Sequence, residues 1–258
     1  FLATSFPVQN YALINQNVQS ALFTTFPAPP TYPAAVTTAK GDTFKGIMMN
    51  LTGGDRPMFD QGFSGPYLGT VWGTFGGDGT VSGILNKQGT DTNSIVYQFD
   101  KAPLLSIDEY AFNVSIVRAT EETDANRLRS DGLRWIPVVN GQFKIPVVSL
   151  HTLGDMYVPF KMEQVYRKRA DAGTGKAWLV QRAVRGVAHC DFTSAEQVAA
   201  LKAMLDWEQK GIKPTGDDVL TPATVSAANY GCQFTINTTG SDDSASIGLV
   251  RAALPACP

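Results

Sequence analysis

The chain has 258 residues, of which 43% are hydrophobic and 17% are charged, and this balance excludes an intrinsically disordered protein. The formal net charge of −2 and the lack of a basic run argue against a nucleic-acid partner. No apolar run reaches the roughly 20 residues that cross a bilayer, so we expect one or two globular domains without a membrane span.

The cysteines and the chain start bear on location. Cys190, Cys232 and Cys257 are an odd number, which in an exported protein leaves one thiol unpaired or paired outside the chain. Few lysines and three N-x-S/T sites favour a secreted or periplasmic location. The first residue is Phe1 and not Met, which indicates proteolytic processing of a precursor or a truncated sequence.

The N-terminal part contains one clear helical pattern. Ile14, Val18 and Leu22 recur four residues apart, which predicts a helix over residues 10–23 that ends before a proline cluster. Residues 40–90 are rich in glycine and aromatic side chains with little periodicity. This composition is typical of long loops.

A second helix is predicted after residue 105. Ser106 and Glu109 have the spacing of a capping box, in which each side chain binds a free backbone N–H of the first turn. Tyr110, Val114 and Val117 then share one helical face.

Asn140-Gly141 separates two segments rich in β-branched and aromatic residues. This dipeptide supplies the positive φ angles of a type I′ turn, so the segment predicts a β-hairpin.

From residue 143 the pattern alternates between strand and helix. The apolar run Ile145–His151 is typical of a strand buried on both faces, and Pro159 opens a helix that continues to about Ala170. Residues 176–184 form a second predicted strand. The order predicts a βαβα unit with two parallel strands.

A final helix is predicted to begin at Ser194, with Gln197 completing its cap. Its inward face would carry an apolar stripe consisting of Val198, Leu201, Leu205 and Trp207. Residues 215–258 are rich in Thr, Ser and Gly, which predicts an irregular or β-structured extension linked by a Cys232–Cys257 disulfide.

Asp155 and His189 are the candidate catalytic residues. Each follows one of the two successive strands, so both should lie at the same edge of the sheet, where ligands bind in such folds. An aspartate that accepts a hydrogen bond from an imidazole fixes the tautomer of the ring and lets it activate a hydroxyl. A structural role for His189 is the alternative.

Two other residues compete for these roles. His151 ends the first strand, where a hydrogen-bonded structural histidine is the favoured interpretation. Asp191 is an alternative acid, although it lies only two residues from His189 and would reach the far ring nitrogen with difficulty. No side chains occur at a recognisable zinc or calcium spacing, so we expect neither a metal nor a cofactor.

The segments "PVVSLHTLGDMYVP" and "GVAHCDFTSAEQVAALKAMLDW" resemble the acid segment and the histidine loop of the α/β-hydrolase family. The resemblance implies an α/β fold with Asp155 as the acid and His189 as the base. It also implies three regions: a largely helical lid or cap at 1–140, the C-terminal part of a mostly parallel core at 141–214, and an extension at 215–258.

The sequence departs from that family at the nucleophile. No G-x-S-x-G occurs: Gly62–Pro66 fails at its last position, and Ser244–Gly248 fails at its first. The resemblance therefore implies a serine on an N-terminal portion of the same precursor, within one chain or as a separate chain. Cys190 beside the histidine resembles the arrangement in tannase and feruloyl-esterase relatives, which implies a disulfide from Cys190 to a cysteine outside this chain.

The resemblance implies a serine hydrolase that acts on a small-molecule carboxylic ester. An amidase or peptidase with the same triad is one alternative, and a non-catalytic binding module on a hydrolase scaffold is another. We further expect aromatic residues of the lid to line an acyl pocket, among them Phe59, Phe63, Tyr67, Trp72 and Phe75.

Overall fold

A computed structural model describes residues 11–25, 36–64, 91–123, 130–132 and 138–258. The first described element is helix α1 (Tyr11–Leu22), as predicted, and strand β1 (Phe23–Thr25) follows it. Strand β1 pairs antiparallel with β2 (Val36–Thr37). Within these ranges no helix is both long and apolar enough to span a membrane.

Two helices replace the loops that were predicted after residue 40. Helix α2 (Ala39–Leu51) and the short helix α3 (Phe59–Ser64) fold there, so the loop prediction is wrong for this part, whereas residues 65–90 lie outside the described ranges. The glycines of α2 are points of close approach. A Cβ at Gly46 would lie 1.7 Å from the carbonyl oxygen of Phe99, which explains a glycine inside a helix.

Helix α4 (Ile107–Ser115) is confirmed together with its capping box. The Ser106 hydroxyl accepts a hydrogen bond from the backbone of Glu109, and the Glu109 carboxylate accepts one from the backbone of Ser106. The predicted apolar face is exposed: Tyr110 is 65% exposed and Val114 is 71% exposed.

The central unit has the predicted βαβα order. Strand β3 (Val147–Thr152) pairs in parallel with β4 (Leu179–Val184), and helix α5 (Lys161–Ala172) connects them. The described residues thus contain one two-stranded parallel sheet. A larger hydrolase-type sheet stays a prediction.

The predicted hairpin at Asn140-Gly141 is wrong in its described part. Residues 138–146 contain no strand, and β3 begins only at Val147. Gly141 does adopt a positive φ of 73°, and the Asn140 side chain accepts a hydrogen bond from the backbone of Gln142. The turn at these residues was therefore predicted correctly. The Gly141 carbonyl, however, accepts a hydrogen bond from Gly175 N, and no second strand pairs across the turn in the described residues.

Helix α6 (Ser194–Lys210) packs on β3, and its N-cap is Thr193, one residue before the predicted cap at Ser194. Its capping box consists of Thr193 and Glu196, not Ser194 and Gln197. Gly211, in a left-handed conformation with φ of 70°, ends the helix.

The predicted inward stripe of α6 is only partly buried. Val198, Leu201 and Leu205 are exposed by 54%, 55% and 39%. Trp207 is buried, and its ring stacks on Trp178 with a centroid distance of 6.2 Å. The periodicity of the stripe marked a helix correctly, but Ala200 and Glu196 occupy the buried face.

The C-terminal segment (residues 215–258) contains two helices and no strand. Helix α7 (Pro222–Val225) and helix α8 (Ala245–Ala253) were not predicted, because the Thr-, Ser- and Gly-rich composition resembles irregular structure. The predicted Cys232–Cys257 disulfide is present.

Buried apolar side chains form two clusters within the described part of the chain. The first contains Phe59 and Phe63, which pack with Phe23, Met49 and Met156. Their role in lining an acyl pocket stays a prediction. The other predicted pocket residues, Tyr67, Trp72 and Phe75, lie outside the described ranges. The second cluster joins the sheet to the C-terminal segment and consists of Met58, Leu153, Phe160, Ala183, Val187, Val219, Val225 and Tyr230.

Helix α3 touches the loop after β3 through Gly62. A Cβ at Gly62 would lie 2.0 Å from the carbonyl oxygen of Gly154, so we expect Gly62→Ala to lower the free energy of unfolding by about 1–3 kcal/mol. Urea denaturation measures the change. Gly240→Ala is the matched control, because its Cβ would enter open space. Equal effects of the two substitutions would contradict the assigned contact.

Candidate functional site

Asp155 lies in a loop that continues the pairing of the two strands. Beyond the strand ends, Leu153 N donates to Val184 O and Gly154 N donates to Gly186 O, both at 2.9 Å. Asp155 is 3% exposed, and its Oδ1 accepts hydrogen bonds from the backbone N–H groups of Tyr157 at 2.8 Å and Val158 at 3.1 Å. These donors fix the orientation of the carboxylate.

His189 lies in the histidine loop (residues 185–193), which leaves β4. Its Nδ1 is 2.7 Å from Asp155 Oδ2, and its side chain is 49% exposed, against 4% for the Asp155 side chain. The Thr152 hydroxyl holds the loop by donating to the Ala188 carbonyl at 2.8 Å. The structure thus brings together a buried acid and a half-exposed imidazole, the two residues that the sequence placed at the same edge.

The competing residues have other contacts. Asp191 accepts a hydrogen bond from Val187 N at 3.2 Å, and its Oδ1 lies 3.7 Å from Nε of Arg251. His151 is 8% exposed; its Nδ1 lies 2.9 Å from its neighbour's carbonyl, and its ring meets Phe160 edge-on. The geometry therefore favours Asp155 as the partner of His189 and a structural role for His151.

Arg56 is a residue of the site region that the sequence interpretation missed. It is 4% exposed, and its Nε donates to the Leu153 carbonyl at 2.7 Å, two residues before Asp155. Burial lowers the pKa of Arg56 to about 10, although Asp155 and Asp55 act in the opposite direction, so the guanidinium stays charged at neutral pH. The only signal in the sequence was an arginine between Gly53-Gly54 and a proline.

The near-matches to the nucleophile motif lie in the wrong contexts. Ser64 is the last residue of α3 and is 2% exposed, whereas Ser244 is the N-cap of α8 and Ser246 lies within that helix. A nucleophilic serine of this type sits on a turn between a strand and a helix. Neither segment provides that turn.

Cys190 is exposed and outside the Cys232–Cys257 disulfide. Its φ of 58° is in the left-handed region, which is uncommon for a residue with a side chain. A disulfide from Cys190 to a cysteine elsewhere stays a prediction. In the described part of the chain, no group of three or more His, Cys, Asp or Glu side chains could hold a metal ion.

The arrangement has the geometry of an acid–base pair. A histidine that donates Nδ1–H to a buried carboxylate presents Nε2 as a proton acceptor, and the carboxylate stabilises the imidazolium that forms. The pair can therefore accept a proton from a hydroxyl and return it to a leaving group.

Comparison with known proteins gives one partial similarity. The chain is 28% identical over 95 residues to the o-phthalyl amidase of Xanthobacter agilis. The aligned stretch covers 37% of this chain and 21% of that protein, so the chain spans about a fifth of its relative's length. No family model and no solved structure matches the chain.

The tautomer of His189 should depend on Asp155. In Asp155→Asn, an amide replaces the acceptor of Nδ1–H, so we expect the Nδ1–H tautomer to lose population. Imidazole ¹⁵N NMR measures this directly, because the chain has only two histidines and a His151→Asn spectrum assigns them. Asp242→Asn, at an exposed acid, is the control. An unchanged His189 spectrum in Asp155→Asn would show that this hydrogen bond does not form in solution.

Proposed function

We propose that Asp155 and His189 are the acid and the base of a serine hydrolase that cleaves carboxylic-acid derivatives. The observation that carries the proposal is the 2.7 Å contact between His189 Nδ1 and Asp155 Oδ2 at the carboxyl ends of two adjacent parallel strands. The similarity to a protein named as an amidase supports a hydrolase in general. We further propose that the βαβα unit is the C-terminal part of an α/β-hydrolase core, with residues 1–140 as its lid.

The mechanism follows from the positions of the two side chains. His189 Nε2 accepts the proton of an attacking serine hydroxyl, while Asp155 holds the ring and stabilises the imidazolium. The serine oxygen forms a bond to the substrate carbonyl carbon, and His189 then donates its proton to the leaving group. In the second half-reaction His189 activates water in the same way, and hydrolysis of the acyl-enzyme releases the acid.

The serine and the oxyanion hole belong, in this proposal, to an N-terminal portion of the precursor that precedes Phe1 or forms a separate chain. The absence of G-x-S-x-G from the sequence and the contexts of Ser64 and Ser246 support this assignment. The half-exposed imidazole of His189 fits a base that meets a group from another segment. Cys190 is exposed beside it, where a disulfide to a cysteine next to that serine would form.

The bond that is cleaved has two candidates. A small-molecule carboxylic ester is the first, from the resemblance to secreted esterases. An amide is the second, and the named activity of the Xanthobacter agilis relative favours it. Both reactions use the same acid–base pair, so the leaving group decides between them. The Cys232–Cys257 disulfide supports a secreted or periplasmic location.

Substitution of the pair tests the catalytic proposal. In the native protein with any associated chain, we expect His189→Ala and Asp155→Asn to lower kcat by about 10²–10⁴-fold, because proton transfer is lost. Hydrolysis of a matched ester and amide of the same acid measures the effect and ranks the two bonds. Asp242→Asn should leave turnover unchanged. Retained turnover in His189→Ala would exclude His189 as the base. A wild-type protein that binds the ester or the amide but hydrolyses neither would favour a binding module.

Labelling tests the position of the nucleophile. We expect a fluorophosphonate to modify a serine outside residues 1–258, and mass spectrometry before and after reduction to show whether Cys190 joins the labelled segment. The His189→Ala variant is the matched control, because its serine should react far more slowly. A label on a serine within residues 1–258 would contradict the proposed partner segment.

A further inference from the structure

We propose that the C-terminal segment positions His189 for catalysis, with Arg251 of that segment and Arg185 of the histidine loop as the two positioning residues. The inference rests on the proposed function of His189 and extends it to a region that the sequence marked only as an extension. Arg251 binds the end of the histidine loop, whereas Arg185 is the first residue of that loop and binds carbonyls of the C-terminal segment.

Arg251 connects helix α8 to the end of the histidine loop. It is 3% exposed, and its guanidinium donates to the backbone carbonyl of Asp191 and to both carboxylate oxygens of Glu196, at 3.1 and 2.9 Å. Asp191 in turn accepts the hydrogen bond from Val187 N. The hydrogen bonds of Asp191 therefore fix the loop on both sides of His189, at Val187 and at Asp191.

Glu196 links Arg251 to the first turn of α6. It is 2% exposed and accepts hydrogen bonds from Thr193 N at 2.9 Å and from Ile236 N at 2.8 Å, in addition to those from Arg251. A buried carboxylate with four donors has one favourable geometry. The end of the histidine loop is thus held by backbone and side-chain groups of the C-terminal segment.

Arg185 connects the start of the histidine loop to both sides of the disulfide. Its Nη1 donates to the carbonyls of Ala228 at 2.9 Å and Tyr230 at 3.3 Å, and its Nη2 reaches those of Pro255 and Ala256 at 3.4 Å. These acceptors precede Cys232 and Cys257, which the disulfide joins. The disulfide therefore keeps the two groups of acceptors at one guanidinium.

This support matters because packing alone does not fix a side chain that is 49% exposed. The direction of the His189 ring depends on the Asp155 hydrogen bond, on the neighbouring ring of Tyr157 and on the backbone path of the histidine loop. Displacement of a catalytic group by about 1 Å can lower the rate on the order of 10²-fold. We therefore expect the C-terminal segment to affect kcat more than KM.

The test compares Arg251→Gln and the double variant Cys232→Ser/Cys257→Ser with the control Arg182→Gln, each in the native protein. Arg182 is also buried, and its side chain donates to the Thr215 carbonyl of the C-terminal segment instead of to a group of the histidine loop. We expect Arg182→Gln to lower stability about as much as Arg251→Gln without affecting His189, which makes it the matched control. Arg251→Lys keeps the charge and should restore part of the effect.

Two measurements are needed. Imidazole ¹⁵N NMR reports the tautomer and environment of His189 without any turnover, and kinetics separates kcat from KM. We expect Arg251→Gln and the disulfide variant to change the His189 signals and lower kcat by about 10-fold to 10²-fold, with KM within about twofold. Arg182→Gln should leave the His189 signals and kcat unchanged. If Arg251→Gln does not fold, the disulfide variant is compared with Arg182→Gln in its place.

The outcomes separate this inference from the proposed function. Unchanged His189 signals in the folded variants, or equal changes in Arg182→Gln, would overturn the positioning role. Changed His189 signals together with a wild-type protein that hydrolyses neither ester nor amide would confirm the structural support of His189 and refute the proposed function on which its catalytic meaning depends.

Discussion

The parallel pairing of β3 with β4 is the constraint on which the candidate site depends. The strands pair in register from Val147 and Leu179 onwards, and their hydrogen bonds continue beyond Thr152 and Val184 into both loops. The first side chains that can leave this ladder at its carboxyl end belong to the two loops that carry Asp155 and His189. Because adjacent strands lie about 4.8 Å apart, a carboxylate and an imidazole reach each other there without a long excursion of either loop.

Buried arginines maintain these two loops. Arg56 binds a carbonyl of the loop that carries Asp155. Arg251 binds the Asp191 carbonyl in the loop that carries His189, and Arg185 joins the start of that loop to carbonyls of the C-terminal segment. A guanidinium has five donors in a rigid plane, so it can join several backbone carbonyls that have no partner in a strand or helix. Its burial is unfavourable unless those bonds form, and this makes the loop conformations specific. Irregular backbone therefore acquires the order that sheets and helices obtain from their own hydrogen bonds.

Local sequence patterns predicted most helices and strands, whereas the features that the sequence did not predict depend on contacts between residues far apart in the chain. The capping box at Ser106, the alternation of strands and helices after residue 143 and the proximity of Asp155 to His189 could all be inferred, because each depends on neighbouring residues or on the topology of parallel strands. Helix α8 and the role of Arg251 could not, because its partners are about 55 residues away and leave no periodic pattern. The glycines of α2 misled for the same reason: their function is close contact with distant backbone.

The register of the two strands also determines where this chain can vary in length. The connection between α5 and β4, including the short 3₁₀ helix Thr174–Ala177, lies at the end of the sheet opposite to Asp155 and His189. An insertion there can be absorbed by the connection without shifting either strand. One extra residue between Val184 and His189 would instead move the imidazole by up to about 3.3 Å away from Asp155. Homologous proteins that retain this pair should therefore differ in length on one side of the sheet and share a fixed spacing on the other.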